Sequence, residues 1–179
     1  GFDIISIKDP KKANTIYEWR IENAELHRGA GSLNPIYFKT HGRYYYANAY
    51  QFQAGGPDND LGATIHDVTG LPDTSKVKEV ARIRDKENLG GFHESFGYKH
   101  SSGATLFFTQ SSGSFANVYD IDKVVAGGDP AGWLVGRVPN DADDAMLGPV
   151  RPPAPGAAAV ATPARRNATY HDFYVQYDV

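Results

Sequence analysis

The 179-residue chain contains no cysteine, a single methionine and two tryptophans. Without thiols it can build no disulfide, no thiolate metal site and no cysteine nucleophile, and cysteine usage leaves the redox compartment open. It has no excess of positive charge either: 18 Lys and Arg stand against 21 Asp and Glu, for a formal net charge of −3. A basic stripe able to track a phosphate backbone is therefore missing, and nucleic acid is not an expected partner. No run approaches the roughly 18 consecutive apolar residues of a membrane-spanning helix, so no membrane span is expected. The opening "GFDIISIKDP" lacks the basic-then-apolar layout of a signal peptide, so any export signal is expected to have been removed or never to have existed.

What the chain does have is aromatic residues and turn formers. Eleven Tyr and nine Phe are spread among 19 Gly and 11 Pro, which cut the sequence into short aromatic and β-branched runs. "FDIISI" (2–7) ends at Asp9-Pro10, and "NTIYEWRI" (14–21) follows. "NPIYFKT" and "RYYYANAY" flank His41-Gly42, a hairpin signal. "GATIHDV", the turn Gly-Leu-Pro-Asp at 70–73, and "KVKEVARI" come next, then "FHESFGYK", "ATLFFTQ", "ANVYDID" and "GWLVGRV". Each run is of strand length and none carries a helical period over three turns, so the expected class is all-β. One helical turn is admitted at "DADDAMLG" (141–148).

The runs repeat in order. Laying "LNPIYFKTHGRYYYANAY" over "FHESFGYKHSSGATLFFTQ" pairs Asn34 with His93, Lys39 with Tyr98 and His41 with His100. "TIHDVTGLPDTSKVKEVARI" and "NVYDIDKVVAGGDPAGWLVGRV" share a strand ending in Asp, a turn-rich loop and a strand ending Arg-Ile or Arg-Val. "DIISIKDPKKANTIYEWRI" has the form of the second half of such a unit, and "ATYHDFYVQYD" (168–178) that of a first strand. Four strands recurring every ~55–65 residues sit near the upper end of propeller-blade spacing.

The repeats resemble the LVIVD-repeat family of bacterial β-propellers, in which a strand ending in Val-Asp-Val or similar leads into a Ser/Asp-Pro turn. The matching segments are "ISIKDP", "HDVTGLPDTS" and "YDIDKVVAGGDP", and the likeness spans the chain except for 139–167. That resemblance implies propeller architecture and an exported setting, extracellular, periplasmic or at the cell surface, more than it implies a reaction. The expected fold is all-β, part of a propeller made of four-stranded antiparallel blades. Residues 1–21 would end one blade, 34–83 and 92–138 form full blades, and 168–179 open another. A closed ring needs about four blades, so the ring is incomplete within this chain. The cut ends then expose strand edges to the rest of the propeller or to another protein chain. A small open sandwich of two sheets is the alternative. Residues 139–167, rich in Pro and Ala, read as a linker or surface insertion, a docking segment or lid being the functional alternative.

The chemistry-bearing residues follow the repeat. His93, Glu94 and His100 do not form a zinc-protease motif, which needs two histidines four apart on a helix. Residues an odd number apart on a regular strand face opposite ways, so His93 and His100 meet only through a bulge. His41 and His100 are read as turn residues. His93-Glu94 has a second copy in His171-Asp172, also at the start of a first strand. In a propeller that strand lines the channel, so the two pairs would be the catalytic candidates, for general acid/base work or around a divalent metal. Asn34 in the equivalent position and His27, seven residues earlier, complete the candidate metal set of His93, His171, Asn34 and His27. The structural reading of the same residues, that they satisfy loop backbone or bridge blades, is preferred. His27 is expected in an exposed loop. Asp58, Asp60, Asp141, Asp143 and Asp144 fail the twelve-residue calcium-loop pattern and read as solvated turns. "SSGSF" is a turn and no nucleophile elbow, and the Asn167-Ala168-Thr169 sequon has meaning only in a eukaryotic secretory setting. Two functions remain, a binding or scaffold module and a metal-dependent enzyme at the channel, with a structural subunit of a larger complex as a third.

Overall fold

The computed structural model describes residues 1–27, 31–50, 61–87, 91–110 and 115–139. Among these, ten strands form three antiparallel sheets. A hairpin joins β1 (Phe2–Ser6) to β2 (Asn14–Trp19). The first four-stranded sheet runs in chain order through β3 (Ser32–Thr40), β4 (Arg43–Tyr50), β5 (Ala63–Asp67) and β6 (Lys78–Ile83). The second repeats that order through β7 (Ser95–Lys99), β8 (Thr105–Gln110), β9 (Phe115–Asp120) and β10 (Leu134–Pro139). The protein is thus all-β, made of four-stranded up-and-down blades, and the described residues close no barrel.

Local chemistry accounts for the turns. His41 (φ 48) and Gly42 (φ 72) both lie in the left-handed region, as a two-residue hairpin turn of matching twist requires. Three connections share one device: Asp9, Asp73 and Asp129 each accept a hydrogen bond from the backbone N–H two residues on, at 3.1, 3.2 and 3.0 Å. Each aspartate caps a single 3-10 turn (Pro10–Lys12, Thr74–Lys76, Pro130–Gly132), and the next strand starts at the same offset, at Asn14, Lys78 and Leu134. A short carboxylate at that position satisfies an otherwise orphaned donor, which is why the "DP" and "DT" turns recur.

The structure adds a helix where the sequence suggested only a loop. After β9, Asp120 caps α1 (Ile121–Ala126) by accepting from the N–H groups of Asp122 and Lys123 at 3.0 and 3.3 Å. Six residues are too short for a 3.6-residue period to be read in sequence. Tertiary packing holds the helix, because Ile121 and Val124 are buried between the sheets.

The two blades pack face to face over Phe38, Tyr45, Ile65 and Ile83 on one side and Phe92, Phe107 and Tyr119 on the other. Fully burying such a side chain stabilises the fold by about 1.5–3 kcal/mol. The sheets come closest at their first strands, β3 and β7. There Gly97 leaves room that a side chain would fill: a Cβ would sit 2.6 Å from Ile36 Cγ2. At the hairpin end Asp122 ties the blades, accepting from the Thr40 hydroxyl and from the Thr105 N–H at 3.3 Å, with His41 Nε2 3.6 Å away. The β1–β2 hairpin covers the opposite face of the first blade through Phe2 and Trp19.

Gly97→Ala is expected to destabilise the protein by about 1–3 kcal/mol through overpacking. Adding Ile36→Ala removes the clashing methyl, so the double variant should lose less than the sum of the single losses in urea denaturation. Strict additivity would show that β3 and β7 do not meet at this point.

Candidate functional site

The repeat-equivalent residues Asn34 and His93 occupy matching irregularities at the starts of the first strands. Leu33 pairs with Ala49 and Ile36 with Ala47, so Asn34 and Pro35 together oppose Asn48. Asn34 takes a positive φ of 43, which Asn tolerates, and Pro35 has no N–H to lose from the ladder. In the second blade the His93 N–H donates to the Gln110 carbonyl at 3.0 Å and the Gln110 N–H to the Glu94 carbonyl at 2.9 Å. His93 and Glu94 thus oppose one residue as well. Such bulges re-aim side chains, and they sit next to many functional sites.

The bulges bring part of the expected set together. His93 Nδ1 lies 3.5 Å from Glu94 Oε1, with both side chains less than one-fifth exposed. Ser95 donates from Oγ to the Asn34 carbonyl at 3.1 Å, locking the two strand starts to each other. A buried His–carboxylate pair can exchange a proton or offer two metal ligands. Among the described residues no three His, Asp or Glu side chains gather into a group able to hold a metal ion. His171 and Asp172 lie outside the described residues, as do Asp58, Asp60, Asp141, Asp143, Asp144 and the sequon at Asn167. His27 departs from expectation: it lies at the end of the turn at 24–27 and is 8% exposed rather than in an exposed loop. His100 stays in its hairpin turn, its Nδ1 accepting from the Ser102 N–H at 3.0 Å.

A second polar cluster escaped the motif reading. On the first blade's hairpin-facing side, cross-strand pairing aligns Tyr46 with His66 and Asn48 with Thr64. His66 is fully buried, its Nε2 3.1 Å from Thr64 Oγ1, and Phe2 and Trp19 close over its ring edge-on at centroid distances of 4.8 and 5.1 Å. Asn48 Oδ1 accepts from Ser32 Oγ at 2.7 Å and from the Tyr46 hydroxyl at 3.2 Å. His66 Nδ1 and Asn48 Nδ2 have no hydrogen-bond partner among the described residues. Burial, with a smaller contribution from Arg82, pushes the His66 imidazole down to about 4, and burial pushes the Tyr46 phenol up to about 12. Arg82 is itself held by Glu79 through two hydrogen bonds of 2.9 Å. The signal for this cluster lay in the alternation Tyr46-Asn48-Tyr50 beside Thr64-His66, which puts every polar tip on one face.

A cleft of about 280 Å³ opens between the end of β6 and the outer strands of the second blade, lined by Asp85, Lys86, Tyr119, Leu134 and Arg137 among others. Its carboxylates are already engaged. Asp85 accepts from Asn117 Nδ2 at 2.8 Å and from the Glu87 N–H at 3.0 Å, and Glu87 accepts from Arg137 Nη2 at 2.6 Å. At the far end of β5, burial alone would raise the Asp67 carboxyl, but hydrogen bonds from Arg43 and Thr69 hold it below the usual carboxylate range.

Fold and site define a class: an all-β protein of stacked four-stranded blades, with polar bulges where the first strands begin. No family model, curated protein or solved structure matches the chain.

The His66 environment predicts an acid-side loss of stability. The folded chain keeps the imidazole neutral down to about pH 4, whereas an ordinary histidine takes up a proton near 6.5. Between those values the unfolded chain binds the extra proton, so stability falls as pH falls, by about 3 kcal/mol in all. Urea denaturation across pH 7.5–3.5 should show this limb in the native sequence, and His66→Phe should flatten it. A limb that survives the substitution unchanged places the titrating group elsewhere.

Proposed function

We propose that the chain is a stack of blades from a β-propeller of the LVIVD-repeat type and that it serves as a binding or scaffold module. The observation that carries this reading is the convergence of the two four-stranded sheets at β3 and β7. Propeller blades are wedged in this way because their first strands crowd around a central axis, whereas the two sheets of a sandwich keep a near-constant ~10 Å separation. The three Asp-capped connections support the same reading, since they make β1–β2 the counterpart of β5–β6 and β9–β10. The recognition surface is then the mouth formed by Asn34, His93, Glu94 and the loops around it. The blade edges are offered to the rest of the propeller or to another chain. An exported setting rests on the family resemblance alone.

A metal-dependent enzyme is the second reading, and the His93–Glu94 pair on its bulge is what favours it. His171 and Asp172 would have to supply the remaining ligands.

Two measurements test the proposal. The absence of native cysteine allows clean spin-label pairs at Lys39 with Lys99, on the first strands, and at Lys78 with Val135, on the fourth. The inner pair is expected to give the clearly shorter distance; equal distances would mean a sandwich. Metal analysis of the purified protein should find no stoichiometric transition metal. A stoichiometric metal that disappears in His93→Ala would turn the assignment to the enzyme.

A further inference from the structure

The cleft of about 280 Å³ between the end of β6 and the second blade shares no lining residue with the Asn34, His93 and Glu94 mouth or with the His66 face. It lies just below the ~300–1,000 Å³ of ligand pockets and at a junction between packed units, where such pockets concentrate. Three cations, Arg84, Lys86 and Arg137, and three carboxylates, Asp85, Glu87 and Asp129, line it. The count favours neither sign of guest, but the contacts do. Each carboxylate already has a donor. Buried Asp85 accepts from Asn117 Nδ2 and the Glu87 N–H, Glu87 accepts from Arg137 Nη2, and Asp129 accepts from the Ala131 N–H at 3.0 Å.

Two of the cations are less committed. Lys86 is exposed and makes no hydrogen bond or ion pair among the described residues. Arg137 donates from Nε to Asn117 Oδ1 at 3.1 Å and from Nη2 to Glu87, which leaves Nη1 without a partner among the described residues. Its guanidinium is also held still. Fully buried Asn117 holds Asp85 through Nδ2 and Arg137 through Oδ1, and the guanidinium carbon lies 4.6 Å from the centre of the Phe115 ring. A guanidinium fixed along its Nε–Nη2 edge presents the remaining N–H groups in a set direction, so little freedom is lost when an oxyanion binds. The pair with Glu87 competes weakly, because Glu87 is mostly exposed. Leu134, Pro130, Ala131 and Tyr119 supply the less polar part of the wall.

We propose that this cleft is a binding site for a small organic anion, with a carboxylate or phosphate head on an apolar body. Arg137 Nη1 and the Lys86 ammonium take the head, one from the second blade and one from the segment that follows the first. Leu134, Pro130 and Ala131 take the body. The site goes beyond the scaffold reading and does not depend on it, since both walls of the cleft are the same whether the two sheets belong to a propeller or to a sandwich.

The full chain titrated with 3-phenylpropionate and with phenyl phosphate, followed by backbone amide chemical shifts, is the test. Saturable one-to-one binding of at least one anion is expected, with the shifts centred on residues 84–87 and 130–137, and the tighter of the two identifies the head. The neutral 3-phenylpropionamide, which keeps the body, and acetate and inorganic phosphate, which lack it, should each bind about tenfold more weakly or less. Lys86→Gln should leave the urea midpoint unchanged and weaken binding about threefold or more. Arg137→Gln should weaken it about tenfold or more, as loss of a charge-assisted hydrogen bond does. Arg137→Gln also cuts the link to Asn117, so a lower urea midpoint is expected there and Lys86→Gln is the deciding variant. No binding of either anion, shifts centred elsewhere, or binding indifferent to Lys86→Gln overturns the proposal. The amide binding as tightly as the carboxylate overturns it in favour of an uncharged guest. Acetate or inorganic phosphate binding as tightly as the larger anions overturns it in favour of an adventitious ion only.

Discussion

The close approach of β3 and β7 is the constraint on which the rest of this structure depends. It exists because Gly97 presents no Cβ to Ile36, and it sets the angle at which two otherwise ordinary antiparallel sheets meet. Between the sheets the core is filled from both blades. Phe38, Ala47, Ala49 and Ala63 line the first blade, and Phe107, Tyr119, Trp133 and the helix bearing Ile121 and Val124 line the second. Ser95 on Asn34 at one end and Asp122 on Thr40 at the other fix the relative height of the blades. Close packing of this kind tolerates little change in volume.

That packing fixes the positions of the bulges at Asn34 and His93. A bulge on a free strand only bends it, but here each lies on a strand pinned from the neighbouring blade. The His93–Glu94 pair is therefore held at a set position beside the start of β7. Two ligating groups orient a guest or pass a proton; a transition-metal site asks for a third. The proposed recognition role asks only for this polar surface, whereas catalysis depends on groups that would have to join it.

The opposite face of the first blade obeys a different logic. His66 and Asn48 each carry a polar atom without a hydrogen-bond partner among the described residues, and His66 is kept neutral beneath Phe2 and Trp19. Leaving such groups dry costs about 1–3 kcal/mol each, so the aromatic contacts of the hairpin must outweigh that cost. The hairpin is two strands on a four-strand platform, and an isolated two-stranded sheet is marginal in water. Its hold on the blade comes from Phe2 and Trp19 rather than from its own ladder.

Much of this fold was legible in the residues. The strands follow from aromatic and β-branched runs cut by Gly and Pro, the His41-Gly42 hairpin from its need for positive φ, and the equivalence of Asn34 with His93 from the repeat alignment. Each is a local property, set by neighbours within a few residues or by direct comparison of two segments. The α1 helix, the burial of His27 and the His66 cluster were not legible in the same way. A six-residue helix has no period to read, and His66 is buried by Phe2 and Trp19, far away in sequence. The sequence by itself determined which segments pair into blades and where the aspartates cap their turns. Only the tertiary structure decided how the blades lean together, and with that which histidine is sealed, which is poised beside a carboxylate and which tyrosines are left uncovered. The reason is physical: hydrogen-bonded strands and capped turns are stabilised by contacts close along the chain, whereas burial is set by surfaces that meet only after the sheets have packed.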